Sequence, residues 1–239
     1  MYLRISALFL VPIALSAVDL RPRIDLRSRI DALLASTANI ALRENISRFI
    51  GNDTAARELD SFDTEVSIAD GVEQYSAVRG AHRTYRHVDE IGGLWSFGEI
   101  VTMLRTTRDI VGAMPEQEMQ DRTLIRFHGS SAGHQWFVNA RHRIYWLDFE
   151  GCINVSASGE IERLTWTTHS APAGSGIASI LWDVKFGAAT VAGKVYTLPS
   201  DSVYRVVRKG SSRAEWNLTR YAALGRYGSE VNLQYALGE

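Results

Sequence analysis

The chain has 239 residues, 46% of them hydrophobic and 22% charged, with a formal net charge of −1. That is enough for one domain with a sizeable core and an ordinary globular composition. The balanced charge excludes the overall basic excess of a nucleic-acid binder, and a single cysteine, Cys152, excludes an internal disulfide framework.

The opening stretch, "MYLRISALFLVPIALSAVDL", reads as a secretory signal peptide over residues 1–17. Arg4 supplies the positive start, and Ile5 to Leu15 is an apolar run too short to span a bilayer as a helix. Ala14, Ser16 and Ala17 are the small residues near a cut, although Leu15 would stand at the −3 position. An uncleaved anchor is the alternative. With cleavage, residues 18–239 form a single domain that is periplasmic or secreted, and no other long apolar run follows.

From Pro22 to about Ser36 the pattern is helical, with Leu26, Ile30, Leu33 and Leu34 at i, i+4, i+7 and i+8. At Asn39 the period changes to two: Ile40, Leu42, Ile46, Arg48 and Ile50 alternate, with Glu44 interrupting. Helix then strand is the expectation, and one longer helix through Arg48 is the alternative. The stretch "DTEVSIADGVEQYSAV", from Asp63, reads as a hairpin turning at Asp70-Gly71, because a type I′ turn needs positive φ at both central positions. Its register places Val66 opposite Tyr75 and Ile68 opposite Glu73.

Residues 92–114 hold an inserted helix: Ser96 is a candidate N-cap with Glu99 three positions on, and Gly112 and Pro115 end it. Beyond 121 the chain reads as strands separated by turn signals, and the absence of helical crossovers there predicts antiparallel neighbours.

Two segments carry possible chemistry. "GSSAG", Gly129–Gly133, matches the G-x-S-x-G nucleophile pattern with Ser131 in the reactive slot and His134 beside it. That elbow needs a strand before it and a helix after it, whereas "HQWFVNARHRIYWLDF" alternates like a strand. "YWLDFEGCINVSASGEIERLTW" holds Cys152, Asp148 and Glu150 between Trp146 and Trp166. Gly159 fits the left-handed position of a hairpin with a G1 bulge, pairing Asn154 with Glu162, Cys152 with Leu164 and Glu150 with Trp166. One face then carries Trp146, Asp148, Glu150, Cys152, Glu162, Leu164 and Trp166. The other carries Tyr145, Leu147, Phe149, Ile153, Val155, Ile161 and Arg163. A one-residue slip would regroup them.

Asp148 and Glu150 have the types needed for acid–base work, but acids in a hairpin are most often solvated. Mid-strand, Cys152 reads as a small buried hydrophobe. The six histidines show no zinc spacing, and no P-loop or G-x-G-x-x-G pattern occurs, so neither a metal nor a cofactor is expected.

The segments "ANIALRENISRF", "LDSFDTEVSIADGVEQYS", "GLWSFGEIVTML", "FEGCINVSASGEIERLTW" and "KVYTLPSDSVYRV" resemble, in block order, a family of uncharacterised exported bacterial proteins. Cysteines common in that family have no counterpart near Arg43 or Tyr221, so any disulfide of the family is missing. The layout also resembles LolA/LolB-like lipoprotein carriers, in which a curved, incomplete barrel wraps a helical lid over an apolar cavity. The resemblance implies an α+β fold: a large curved antiparallel sheet (an incomplete barrel) with an N-terminal helix and one inserted helix.

It also implies an exported binding protein for a lipid, a lipoprotein acyl chain or another apolar small molecule, with an envelope protein as a further possible partner. Membrane contact would be transient, and nucleic acid is not a partner. Trp136, Trp146, Trp166 and Trp182 recur in consecutive strand segments and Trp95 begins the inserted helix, so these five are the candidate ligand-binding residues, with core filling as the plain alternative. A serine hydrolase using Ser131, a carboxylate hydrolase using Asp148 and Glu150, and an envelope scaffold are the other function classes.

Overall fold

The computed structural model describes residues 25–226 except 53, 70–71, 77, 81–83, 86–99, 116–122 and 141, and only the backbone of 69, 72, 73, 85 and 226. The signal-peptide segment, Trp95, the Ser96–Glu99 capping pair and the Asp70-Gly71 turn lie outside the described residues.

Helix α1 spans Leu26–Thr37 and buries Leu26, Ile30, Leu33 and Thr37, the stripe that the 3.6-residue period predicts. It starts four residues later than Pro22 because Asp25 is the cap: its carboxylate accepts the Ser28 backbone N–H at 3.1 Å. Asn39 then takes a left-handed φ of 52°, which its short polar side chain tolerates, and the chain enters strand β1, Ile40–Asn52. The single longer helix is therefore not formed.

Strands β2 (Ala55–Ala69), β3 (Val72–Tyr75), β4 (Val78–Gly80) and β5 (Thr84–Tyr85) follow. Val66 pairs with Tyr75 and Ile68 with Glu73, the expected hairpin register. β2 begins well before Asp63, so β1 and β2 form a long hairpin of their own; the side chain of Asn52 closes it by accepting the backbone N–H groups of Thr54 and Ala55. Helix α2 is Ile100–Gly112.

The later strands are β6 (Leu124–Gly129), β7 (Phe137–Ala140), β8 (Arg143–Trp146), β9 (Phe149–Val155), β10 (Ile161–Thr168), β11 (Ile177–Val191), β12 (Lys194–Arg208) and β13 (Ala214–Arg226). Among the described residues, eleven strands form one antiparallel sheet in the order β5-β4-β2-β1-β13-β12-β11-β10-β9-β6, with β3 also paired to β2. β13 returns to pair with β1, and among the described residues the sheet is not closed into a barrel: its edges there are β5 and β6. The fold is α+β, with an N-terminal helix and an inserted helix against a large curved sheet.

Two sequence expectations need correction. The segment after "GSSAG" reads as one more strand and is two, set apart from the large sheet. Ala140 pairs with Arg143 and His142 is left-handed at φ 61°, so β7 and β8 fold into a separate two-stranded ribbon. The second correction is register. Ser156 donates its N–H to the Glu160 carbonyl, Val155 pairs with Ile161 and Gly159 is left-handed at φ 86°, all as the G1 loop requires. Glu162 is then an extra residue, and Asn154 pairs with Arg163, Ile153 with Leu164 and Gly151 with Trp166.

This β-bulge turns every later side chain of β10 to the opposite face. Leu164 and Trp166 join Phe149, Ile153 and Val155 in the core, while Arg163 and Thr165 lie beside Asn154 and Cys152. The mixed face of acids and tryptophans does not exist.

Helices α1 and α2 pack on each other and contribute Leu26, Ile30, Leu33, Ile100, Met103, Leu104 and Val111 to a core shared with β6 and β9–β12. A second apolar cluster joins Ile40, Leu42, Val66 and Ile68 to Val101, Val191 and Leu198. Polar side chains are buried on β1, β2, β12 and β13 as well, among them Glu44, Thr64, Ser202, Asn217 and Thr219.

Candidate functional site

One rung of the sheet is aromatic across its middle. Phe127 of β6 is opposite Gly151 of β9, Gly151 opposite Trp166, Trp166 opposite Trp182 of β11, and Trp182 opposite Tyr204 of β12. The rings meet mostly edge to face, the arrangement their quadrupoles favour. Trp166 and Trp182 lie 6.0 Å apart at 84°, and Trp182 and Tyr204 6.0 Å apart at 83°. Phe149 leans over Trp166 at 4.5 Å, and Trp136, which precedes β7, reaches back to within 5.5 Å of both Phe149 and Trp166.

Gly151 makes this possible. A Cβ at that position would lie 2.0 Å from the Phe127 ring, so the missing side chain is the space the ring fills. Gly129 does the same for Phe149, where a Cβ would fall 1.9 Å from the ring.

The helix pair covers this rung. Thr107 of α2 accepts the indole N–H of Trp166 at 3.2 Å, and Arg108 forms an ion pair with Asp31 of α1. Three of the five tryptophans singled out in the sequence, Trp136, Trp166 and Trp182, therefore converge. Trp146 does not: it lies on the ribbon between His134, 4.7 Å away, and Phe137, 5.2 Å away. Trp95 is outside the described residues. Sequence reasoning missed Phe127, Phe149, Tyr204 and the two glycines; a glycine inside an alternating strand was the available signal for a ring approaching the backbone.

The candidate chemical groups disperse. Ser131–Gly133 is one turn of 3-10 helix capped by the Ser130 hydroxyl, and β7 follows it, so the strand–turn–helix setting of a nucleophile elbow is missing. Asp148 accepts the Ser131 backbone N–H at 2.7 Å, and hydrogen bonds from Ser131 hold its carboxyl below the usual carboxylate range. Glu150 is on the outer face of β9, opposite His128 and Thr167.

Cys152 is half-buried on that outer face rather than in the core. Burial pushes its thiol up, and the nearby Arg126 and Arg163 partly offset this. Arg163 forks onto Asp183 at 2.6 and 2.7 Å. Among the described residues no three His, Cys, Asp or Glu side chains are placed to hold a metal, and no helix is long and apolar enough to cross a membrane.

No protein-family model and no curated protein matches the chain. Solved structures with a similar layout include a DUF1329 family protein from Desulfovibrio piger, 10% identical over 90% of this chain and 97% of that one, with a TM-score of 0.29. At the level of fold the chain is similar to a LolA superfamily protein from Nitrosomonas europaea, 8% identical over 87% of this chain and 96% of that one, with a TM-score of 0.32.

Proposed function

We propose that the protein is an exported, periplasmic binding protein that holds an acyl chain or another apolar ligand between the aromatic rung and the helix pair. One observation carries this reading. The middle of the sheet presents Phe127, Phe149, Trp166, Trp182 and Tyr204 as a continuous ring surface, and its cover is two helices tied to one another rather than a second sheet. Apolar area is the main source of affinity for a hydrocarbon ligand. In this reading α2 lifts to admit the ligand, which replaces the helix side chains over Trp136, Trp166 and Trp182. The buried Ser202 and the half-buried Tyr221, whose hydroxyls lie 2.9 Å apart, would face the ligand's polar end.

The test is direct. Protein purified after export is extracted with organic solvent and the extract analysed by mass spectrometry, while stripped protein is titrated with a fluorescent fatty acid. Co-purifying lipid, or saturable uptake that Trp182→Ala weakens, supports the reading. No lipid and no uptake sink it.

A further inference from the structure

The β7–β8 ribbon has two different faces. Val138, Ala140 and the half-buried Tyr145 turn inward to the core. Phe137 and Ile144 turn outward and are 45% and 58% exposed, among the most exposed large apolar side chains described. Trp146 stands directly across from Phe137 on the same face, half-buried, with the exposed His134 against it. Isolated exposed apolar residues are ordinary, but a contiguous aromatic and aliphatic patch on one face of a ribbon is not.

Charge identifies the occupant. The stretch "HQWFVNARHRIYWL", residues 134–147, contains no acid and carries Arg141, Arg143, His134 and His142, within a chain whose net charge is −1. His142 and Arg143 are exposed at the ribbon tip, where Arg143 stands across from Ala140 on the face opposite that of Phe137 and Ile144. Rings and a branched aliphatic group beside cations on long stems match the boundary between acyl chains and phosphates: tryptophan and phenylalanine settle at headgroup depth, and arginine keeps its charge among the phosphates.

We propose that the face of this ribbon bearing Phe137, Ile144 and Trp146 docks on an anionic lipid bilayer, with Arg143 reaching lipid phosphates past the ribbon tip. The surface does not depend on a ligand in the domain interior. It is nevertheless joined to the interior, because Trp136, just before the ribbon, accepts the Leu147 N–H on its carbonyl and touches Trp166.

Co-sedimentation of the exported protein with vesicles tests it. The wild type is expected to bind vesicles of phosphatidylcholine containing about one-third phosphatidylglycerol, to bind pure phosphatidylcholine more weakly, and to be released by salt, since exposed charges are screened. Phe137→Ser/Ile144→Ser should lower the bound fraction at least about tenfold on both vesicle types, because anchoring scales with buried apolar area. Arg143→Glu should act on the anionic vesicles alone. Thermal melting serves as the fold check, and the side chains are exposed, so it should not move. Any affinity from the N-terminal apolar segment is common to all variants and cancels in the comparison. A wild type that stays in the supernatant overturns the proposal, as does a double variant that binds like the wild type. So does a double variant that only converts a dimer into a monomer by light scattering, which would make the patch a contact between copies. Ligand uptake is read separately, so failure of either idea leaves the other standing.

Discussion

Trp166 donates its indole N–H to the Thr107 hydroxyl at 3.2 Å, with the two residues 1% and 0% exposed. This buried bond links the centre of the sheet to helix α2. Thr107→Val keeps the shape and removes the acceptor, stranding the indole N–H in an apolar setting. The expected cost is about 1–3 kcal/mol. Thr107→Ser keeps the acceptor and loses one methyl, worth about 0.8 kcal/mol. Urea midpoints should rank wild type above serine above valine; a valine variant as stable as wild type would show that the bond contributes nothing. If α2 is the cover of a ligand site, the valine variant should also take up a fluorescent fatty acid faster.

Gly151 is a packing requirement. Gly151→Ala places a methyl where the Phe127 ring lies, 2.0 Å from its nearest atom, and overpacking of this kind costs about 1–3 kcal/mol. Shrinking the ring should relieve it, so Phe127→Leu ought to cost less in the alanine background than alone. Additive losses in a double-mutant cycle would contradict this account.

The bulge at Glu162 yields a contrast between two length changes. Deleting Glu162 removes the unpaired residue and leaves Arg163 opposite Asn154 and Trp166 opposite Gly151, so the inward and outward sets are unchanged. The deletion variant should fold, with the near-ultraviolet circular dichroism of the wild type. Inserting one alanine between Leu164 and Thr165 turns Trp166 outward and Thr165 inward. That chain should lose its tryptophan signal and its cooperative melting transition.

Asp148 sets a pH dependence. Hydrogen bonds from Ser131 hold its folded-state carboxyl below the ordinary value of 3.8. A depressed carboxylate stabilises the fold fully above the unfolded value, and the contribution is lost as pH falls through the folded value. Asp25, lowered by its hydrogen bonds with Ser28, acts in the same direction. Melting temperature should therefore decline below about pH 4, and Asp148→Asn should flatten that decline while leaving the slope near neutrality unchanged. Parallel acid limbs for the two proteins would rule the contribution out.

Local features were readable along the chain. The stripe of α1 shows in the spacing of Leu26, Ile30 and Leu33, the β2–β3 register follows from Asp70-Gly71, and the left-handed Gly159 was visible in a four-residue turn. Each depends on neighbours within a few positions, where backbone sterics and side-chain period decide the outcome. The aromatic rung was half legible: the tryptophans stand out by type, but Phe127, Gly151 and Tyr204 join them only through strand pairings far apart in sequence.

By itself the sequence determined element types, the inserted helix and the antiparallel character of the sheet, because periodicity and turn chemistry are local. Tertiary structure decided the rest. Glu162 looks like an ordinary strand residue, and only pairing with β9 makes it a bulge that turns Trp166 from a mixed face into the core. Trp146 and Trp166 look alike in the chain, yet one lies on a peripheral ribbon and the other beneath α2. The reason is that a strand's faces are fixed by its partners, and a single unpaired residue inverts them.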